Sequence, residues 1–384
     1  MTHIIDIDDT DTDTDTDTDD ASDTGTFDEE RLERFAGRFF EAVLGAQEVQ
    51  AAYFGEHLGW YAALGEHGPL TAPELATATG THQRYVQEWL EHQAVAGWIE
   101  VDDVTAAPLA RRYHLPAEHA AVLTDPDALT HLAPLARFTV GIGRHVDELA
   151  RVYRDGGGVS WDDMGDDLRL AQAALNRPMF LELFAREFVA SIPEVDARLR
   201  AGGRVADVGC GFGWSSIAIA EQYPAAVVDG FDPDAPSVVS AALAAAERGL
   251  DGRVRFHAVD AATAASDDSY DLVMALECIH DLGDPVGVLS TMRELAGTDG
   301  FVLVMDERVG DDFAAPGEEF ERLLYGFSLT SCLPDCMSHE HSAETGTVMR
   351  RATLERYARG AGFESVEVLP IEHDSFRFYR LVTA

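Results

Sequence analysis

The stretch from about residue 196 to the C-terminus predicts an α/β fold on an open sheet, and three observations carry that expectation. Short apolar strands alternate with helical stretches: Val205 to Val208, Ala226 to Val228, Arg253 to Val259, Tyr270 to Ala275, and a fifth strand ending at Asp306-Glu307. The first strand runs into Gly209-Cys210-Gly211-Phe212-Gly213, three alternating glycines ahead of an apolar helix expected over residues 214 to 222. Polar groups then recur at each strand end, in the order Asp207, Asp232, Asp260 and the run Glu277 to Asp281. In an open α/β sheet these carboxyl ends are where ligands bind.

The glycine spacing narrows the ligand. A dinucleotide fingerprint, G-x-G-x-x-G, needs a third glycine where this chain has Trp214. Three alternating glycines instead let the backbone pass close beside a ligand, because glycine lacks a Cβ and tolerates positive φ. Asp232 stands 19 residues past Gly213, a distance at which a second-strand acid can reach a ribose diol. The pattern D-x-G-x-G-x-G over Asp207 to Gly213 resembles motif I of the class I methyltransferases. That resemblance implies a Rossmann-like domain with a seven-stranded sheet over residues 196–384 and S-adenosylmethionine as cofactor. It also implies cofactor contacts from Asp207, Gly209, Cys210, Gly211, Gly213, Asp232, Pro233, Asp260, Ala261 and Glu277, with Asp260 and Ala261 at the adenine edge.

Upstream, residues 28–125 read as a winged helix. Leu32, Phe35, Phe39, Phe40, Val43 and Leu44 form an apolar helical stripe. Thr71 can cap a helix with Pro73 in its first turn, and Gly80-Thr81 separates it from a second helix, Arg84 to Ala96. Trp98 to Asp103 and Arg111 to Leu115 follow as a two-stranded wing. The recognition helix of such a unit, His82 to His92, holds Arg84 as its one fixed cation, with Glu88 and Glu91 beside it. A reader of phosphates should be basic, so nucleic acid is not an expected partner. Residues 126–195 read as a helical linker and lid. From about residue 30 onward the chain is similar to microbial methyltransferases with an N-terminal winged helix, relatives of the plant-type O-methyltransferases. The resemblance implies that the winged helix forms a homodimer and helps wall the pocket for a small-molecule acceptor. A regulator of transcription responsive to the same cofactor is the alternative reading, and it requires a basic surface.

Composition bears on the setting. Acids number 69 against 28 basic residues, all of them Arg, for a net charge of −41. Thirteen acids fall in residues 1–30, which leaves 56 against the 28 Arg, so the excess is not confined to the tail. A lysine-free acidic surface of this kind resembles that of haloarchaeal cytoplasmic proteins. The same charge opposes anionic membranes. No basic segment leads into an apolar core at the N-terminus and no apolar run approaches 18 residues, so a cytoplasmic protein is expected. The Asp-Thr alternation of residues 8–20 lacks an apolar face, and residues 1–27 are expected to form a disordered acidic tail.

Two further residue groups invite chemistry. Cys332, Cys336, His339 and His341 are potential metal ligands, but their spacing departs from C-x2-C, and pocket lining or core packing is the expected role, with no metal. His280, just past the fourth strand and followed by Asp281, is the candidate general base for a hydroxyl acceptor. The His-Asp pair resembles that of plant-type O-methyltransferases, although Leu282 stands where those enzymes carry Trp.

Overall fold

The computed structural model describes residues 27–264 and 269–383. The expected acidic tail thus lies outside the described residues, Phe27 excepted. The chain divides into two compact units, one ending at Gln47 and one starting at Glu48. Helix α1 (Glu29–His57) begins in the first and ends in the second. In the first unit, Leu32, Phe35, Phe39 and Val43 recur at helical spacing with Phe40 and Leu44 beside them, and these side chains are 41 to 66% exposed.

In the second unit, helices α2 (Trp60–His67), α3 (Ala72–Thr79) and α4 (Gln83–Val95) precede a two-stranded antiparallel wing, β1 (Glu100–Val101) and β2 (Tyr113–His114). Thr71 opens α3 with a reciprocal cap. Its hydroxyl accepts from the Glu74 N–H, and the Glu74 carboxylate accepts from the Thr71 N–H at 2.8 Å. Gly80, at φ 65°, stops α3 in a conformation costly for other residues. Trp60, Tyr61, Leu75, Val86 and Leu90 fill the small core. Arg84 is already paired with Glu88 on α4, which leaves that helix without an unengaged fixed cation.

Helices α5 (Ala117–Leu123), α6 (Ala133–Gly143), α7 (Val146–Asp155), α8 (Trp161–Met164) and α9 (Asp166–Met179) follow. Pro178 sits inside α9 and offers no N–H, and the chain continues as a wider π-helical turn over Phe180–Phe188. That turn buries Phe180, Phe184 and Phe188.

After α10 (Pro193–Arg200) comes the expected sheet: β3 (Arg204–Val208), α11 (Trp214–Gln222), β4 (Val227–Asp232), α12 (Ala235–Glu247), β5 (Val254–Ala258), β6 (Leu272–Leu276), α13 (Pro285–Ala296), β7 (Phe301–Glu307). Helices α14 (Glu319–Phe327), α15 (Leu333–Cys336) and α16 (Arg351–Gly360) precede β8 (Ser365–Val368) and β9 (Phe376–Val382). The seven strands run β5-β4-β3-β6-β7-β9-β8, parallel except where β9 pairs antiparallel with both β7 and β8. Both faces are covered. Val205, Leu272, Met274 and Leu303 pack on one side, and Ala206, Val208, Val273 and Ala275 on the other, so each strand reads as continuously apolar. Strand order reverses between β3 and β6, which opens a crevice at their carboxyl ends.

Candidate active site

A cavity of about 860 Å³ occupies this crevice. Its wall begins with the glycine turn after β3. Gly209, Gly211 and Gly213 have φ of 71°, 48° and 75°, the left-handed region that a side chain resists. A Cβ on Gly209 would also lie 2.7 Å from the Cys278 Sγ, and one on Gly213 would strike the Phe256 ring at 2.4 Å. The turn is pinned to β4 from outside, for Asp232 Oδ2 accepts the Gly211 N–H at 2.8 Å while its Oδ1 accepts from Asp234 at 2.9 Å. Burial and the neighbouring Asp234 charge raise the Asp232 carboxyl above the usual range.

Seven of the ten expected cofactor residues line the cavity: Gly209, Cys210, Gly211, Asp232, Pro233, Asp260 and Glu277. Three lie off it. Asp207 is buried beneath the turn, where its Oδ2 accepts from the Ser215 and Ser216 hydroxyls at 2.6 Å each, and burial lifts its carboxyl to about 6. It holds the start of α11 against β3. Gly213 provides clearance for Phe256, and Ala261 is packed in the core behind Asp260. Asp260 caps the short turn after β5 by accepting from the Ala262 N–H at 2.9 Å.

His280 lines the same cavity from a short turn after β6 and is 2% exposed. Its Nδ1 donates to Asp306 Oδ1 at 2.8 Å, with Glu307 Oε2 at 3.1 Å, and Asp281 Oδ1 lies 3.4 Å from its Nε2. Burial disfavours the imidazolium, but the charges of Asp281, Glu307 and Asp306 outweigh it and raise His280 well above its ordinary value. The two acids at the end of β7 divide their roles. Burial drives Asp306 well up, so it keeps a proton, whereas the His280 charge and hydrogen bonds overcome burial and bring Glu307 down to about 2. Glu277, at φ 54°, is pushed well up by burial and by the Glu307 charge. Cys210 and Cys278 stay thiols, since burial and nearby carboxylates push both well up.

Sequence reasoning did not reach two charged residues of this wall. Arg169 of α9 is 6% exposed and clamps Asp234 at 2.9 Å, Asp162 at 2.6 Å and Asp166 at 3.2 Å. Asp335 of α15 accepts the Trp161 N–H at 2.7 Å, and burial together with the Asp281 charge lifts its carboxyl to about 7. The cysteine-histidine run separates: Cys332 lines the cavity and clusters with His280 and Asp281, whereas Cys336 is fully buried and donates to the Leu282 carbonyl.

Comparison with known proteins agrees with this architecture. A methyltransferase domain family matches residues 179–368, and an Rv2258c-like winged HTH domain family matches residues 52–125. Trans-aconitate 2-methyltransferase of Streptomyces avermitilis is 28% identical over 164 residues, 42% of this chain and 59% of that protein. Polyketide synthase ThaQ of Burkholderia thailandensis is 32% identical over 103 residues, 27% of this chain and 5% of that protein. The chain thus spans less than two thirds of either relative. In solved structures, the mitomycin 7-O-methyltransferase MmcR superposes with a TM-score of 0.69 at 20% identity, covering 93% of this chain and all of that one. Residues 179–368 carry a methyltransferase domain on a Rossmann-like seven-stranded sheet, preceded by a winged-helix domain.

Proposed function

We propose that the whole chain is a methyltransferase acting on a small-molecule acceptor, with transfer to oxygen, and that residues 28–125 dimerise it, residues 126–195 form a lid and residues 196–384 bind the cofactor. The observation that carries this reading is a single cavity running from the glycine turn and Asp232 to His280. Residues of the turn, Asp232, Pro233, Asp260 and Glu277 hold the cofactor in this reading, with Asp232 on the ribose. Methyl transfer from a sulfonium is an in-line displacement, so most of the protein's work is to align acceptor and donor. A hydroxyl acceptor must also lose its proton, and His280, oriented by Asp306 and Glu307, takes it. The polycarboxylate acceptor of the Streptomyces relative is not carried over, because the acids at the cavity floor oppose it. The test is transfer of labelled methyl from S-adenosylmethionine to a panel of phenols in molar KCl. Labelled methyl ethers support the reading, whereas absence of any transfer, with no S-adenosylhomocysteine binding, overturns it.

Transcriptional regulation is disfavoured by the acidic α4 and its Arg84–Glu88 pair. The exposed apolar stripe of α1 instead fits a second copy of the chain. The two-to-one excess of acids over Arg outside the first thirty residues supports a protein that works in concentrated salt, and in this reading its compartment is the cytoplasm. Lowering salt from molar to about 0.1 M lengthens the Debye length from about 3 to about 10 Å, so each carboxylate feels more of its neighbours. The expected result is a dimer by light scattering in molar KCl that loses melting temperature steeply as KCl is lowered. A flat melting temperature contradicts the halophilic reading, and a monomer contradicts the dimer.

A further inference from the structure

We propose that the acceptor carries a cationic amine, whose ammonium docks between the carboxylates of Asp281, Glu307 and Asp335 and the aromatic side chains of Phe138, Trp161 and Phe327. This rests on the methyl-transfer reading and specifies its substrate class.

The three acids and three aromatics line the same cavity. They form a connected wall. Phe138 and Phe327 meet edge to face at 5.2 Å, and Trp161 packs in the same cluster while its backbone N–H donates to Asp335 at 2.7 Å. Asp335 in turn feels the Asp281 charge, and Asp281 and Glu307 flank His280. Carboxylates beside aromatic faces are what an ammonium favours, through ion pairing and attraction to the ring quadrupole.

Acids also outnumber cations in this cluster. One His280 ring serves three acids: its Nδ1 lies 2.8 Å from Asp306 Oδ1 and 3.1 Å from Glu307 Oε2, and its Nε2 lies 3.4 Å from Asp281 Oδ1. Arg169 is the one Arg lining the cavity among the described residues, and it is already bound by three aspartates. A surface adapted to salt accounts for exposed acids. It does not account for half-buried and buried acids that line a cavity and outnumber the cations there, where each ionised group beyond the His280 pair costs free energy unless a cation arrives. Protons on Asp306 and, in part, on Asp335 offset that cost. An ammonium takes over their role, and protons leave as it binds.

The experiment uses the full chain saturated with S-adenosylhomocysteine in molar KCl and three phenols of matched length: tyramine, para-propylphenol and para-hydroxyphenylpropionate. Calorimetry should find tyramine bound at least about tenfold more tightly than the neutral phenol, and the anion weakest. The tyramine enthalpy should vary with the ionisation enthalpy of the buffer, which reports proton release. Asp335→Asn should remove most of the tyramine preference while leaving S-adenosylhomocysteine affinity unchanged. Equal binding of the three phenols, tightest binding of the anion, or no tyramine binding to a complex that does hold S-adenosylhomocysteine overturns the amine assignment alone. Failure to bind S-adenosylhomocysteine overturns the methyl-transfer reading and the amine assignment with it.

Discussion

Replacing His280 with Ala should lower turnover of a hydroxyl acceptor by about a hundredfold or more, with S-adenosylhomocysteine affinity nearly unchanged. The ring lines the cavity, and its ion pairs are with Asp281, Asp306 and Glu307, not with the glycine turn. The base acts on the acceptor and not on the donor, so the loss belongs in kcat. Its pH dependence distinguishes a base from a wall residue. The folded-state value of His280 is raised, so the neutral ring that can accept a proton accumulates only as pH climbs through that raised value. Turnover by the natural sequence should therefore keep rising on the alkaline side of neutrality, and the Ala variant should lose that rise. A variant with turnover within a few-fold of the original, and an unchanged pH profile, means that His280 only shapes the pocket and that alignment alone drives transfer.

The second large effect is on the cofactor. Asp232→Ala should weaken S-adenosylmethionine binding by about 1.5 to 3 kcal/mol, roughly 10- to 150-fold, because ribose hydroxyls lose a charged acceptor. The same carboxylate receives the Gly211 N–H at 2.8 Å and the Asp234 N–H at 2.9 Å, so Ala also releases the turn that faces the ligand. Asp232→Asn keeps an acceptor oxygen for the Gly211 N–H and should fall between the two. Calorimetry in molar KCl measures both variants, and an Ala variant that binds like the original removes Asp232 from the cofactor site.

Which of these features could be read in the residue string follows from how local their causes are. The glycine turn was legible because positive φ at Gly209, Gly211 and Gly213 is a property of a few consecutive residues, and so was the cap formed by Thr71 and Glu74. The strands were legible because burial on both faces makes them uniformly apolar, although the third and fourth begin one and two residues later than expected, at Val254 and Leu272. The role of Asp207 was less so. Its position before the glycines matches a ligand contact, but only the fold shows Ser215 and Ser216 drawing its carboxylate under the turn. The acidic floor is less local still. Glu277, Asp281, Glu307 and Asp335 come from three separate stretches of chain, and their perturbed protonation is set by burial and by one another's and His280's charge, which no spacing encodes. The clamp of Arg169 on Asp234 joins residues 65 apart in sequence, in a stretch so rich in Asp that no single pairing stands out.

In the proposed reading the crevice beyond β3 and β6 is shaped for S-adenosylmethionine and not for a dinucleotide. Isothermal titration of the full chain in molar KCl with S-adenosylmethionine, S-adenosylhomocysteine and NAD tests it most directly. The glycine turn, closed by Trp214 where a pyrophosphate-binding helix needs a third glycine, predicts micromolar affinity for the first two and none measurable for NAD. Tight binding of NAD with no binding of S-adenosylmethionine would contradict it.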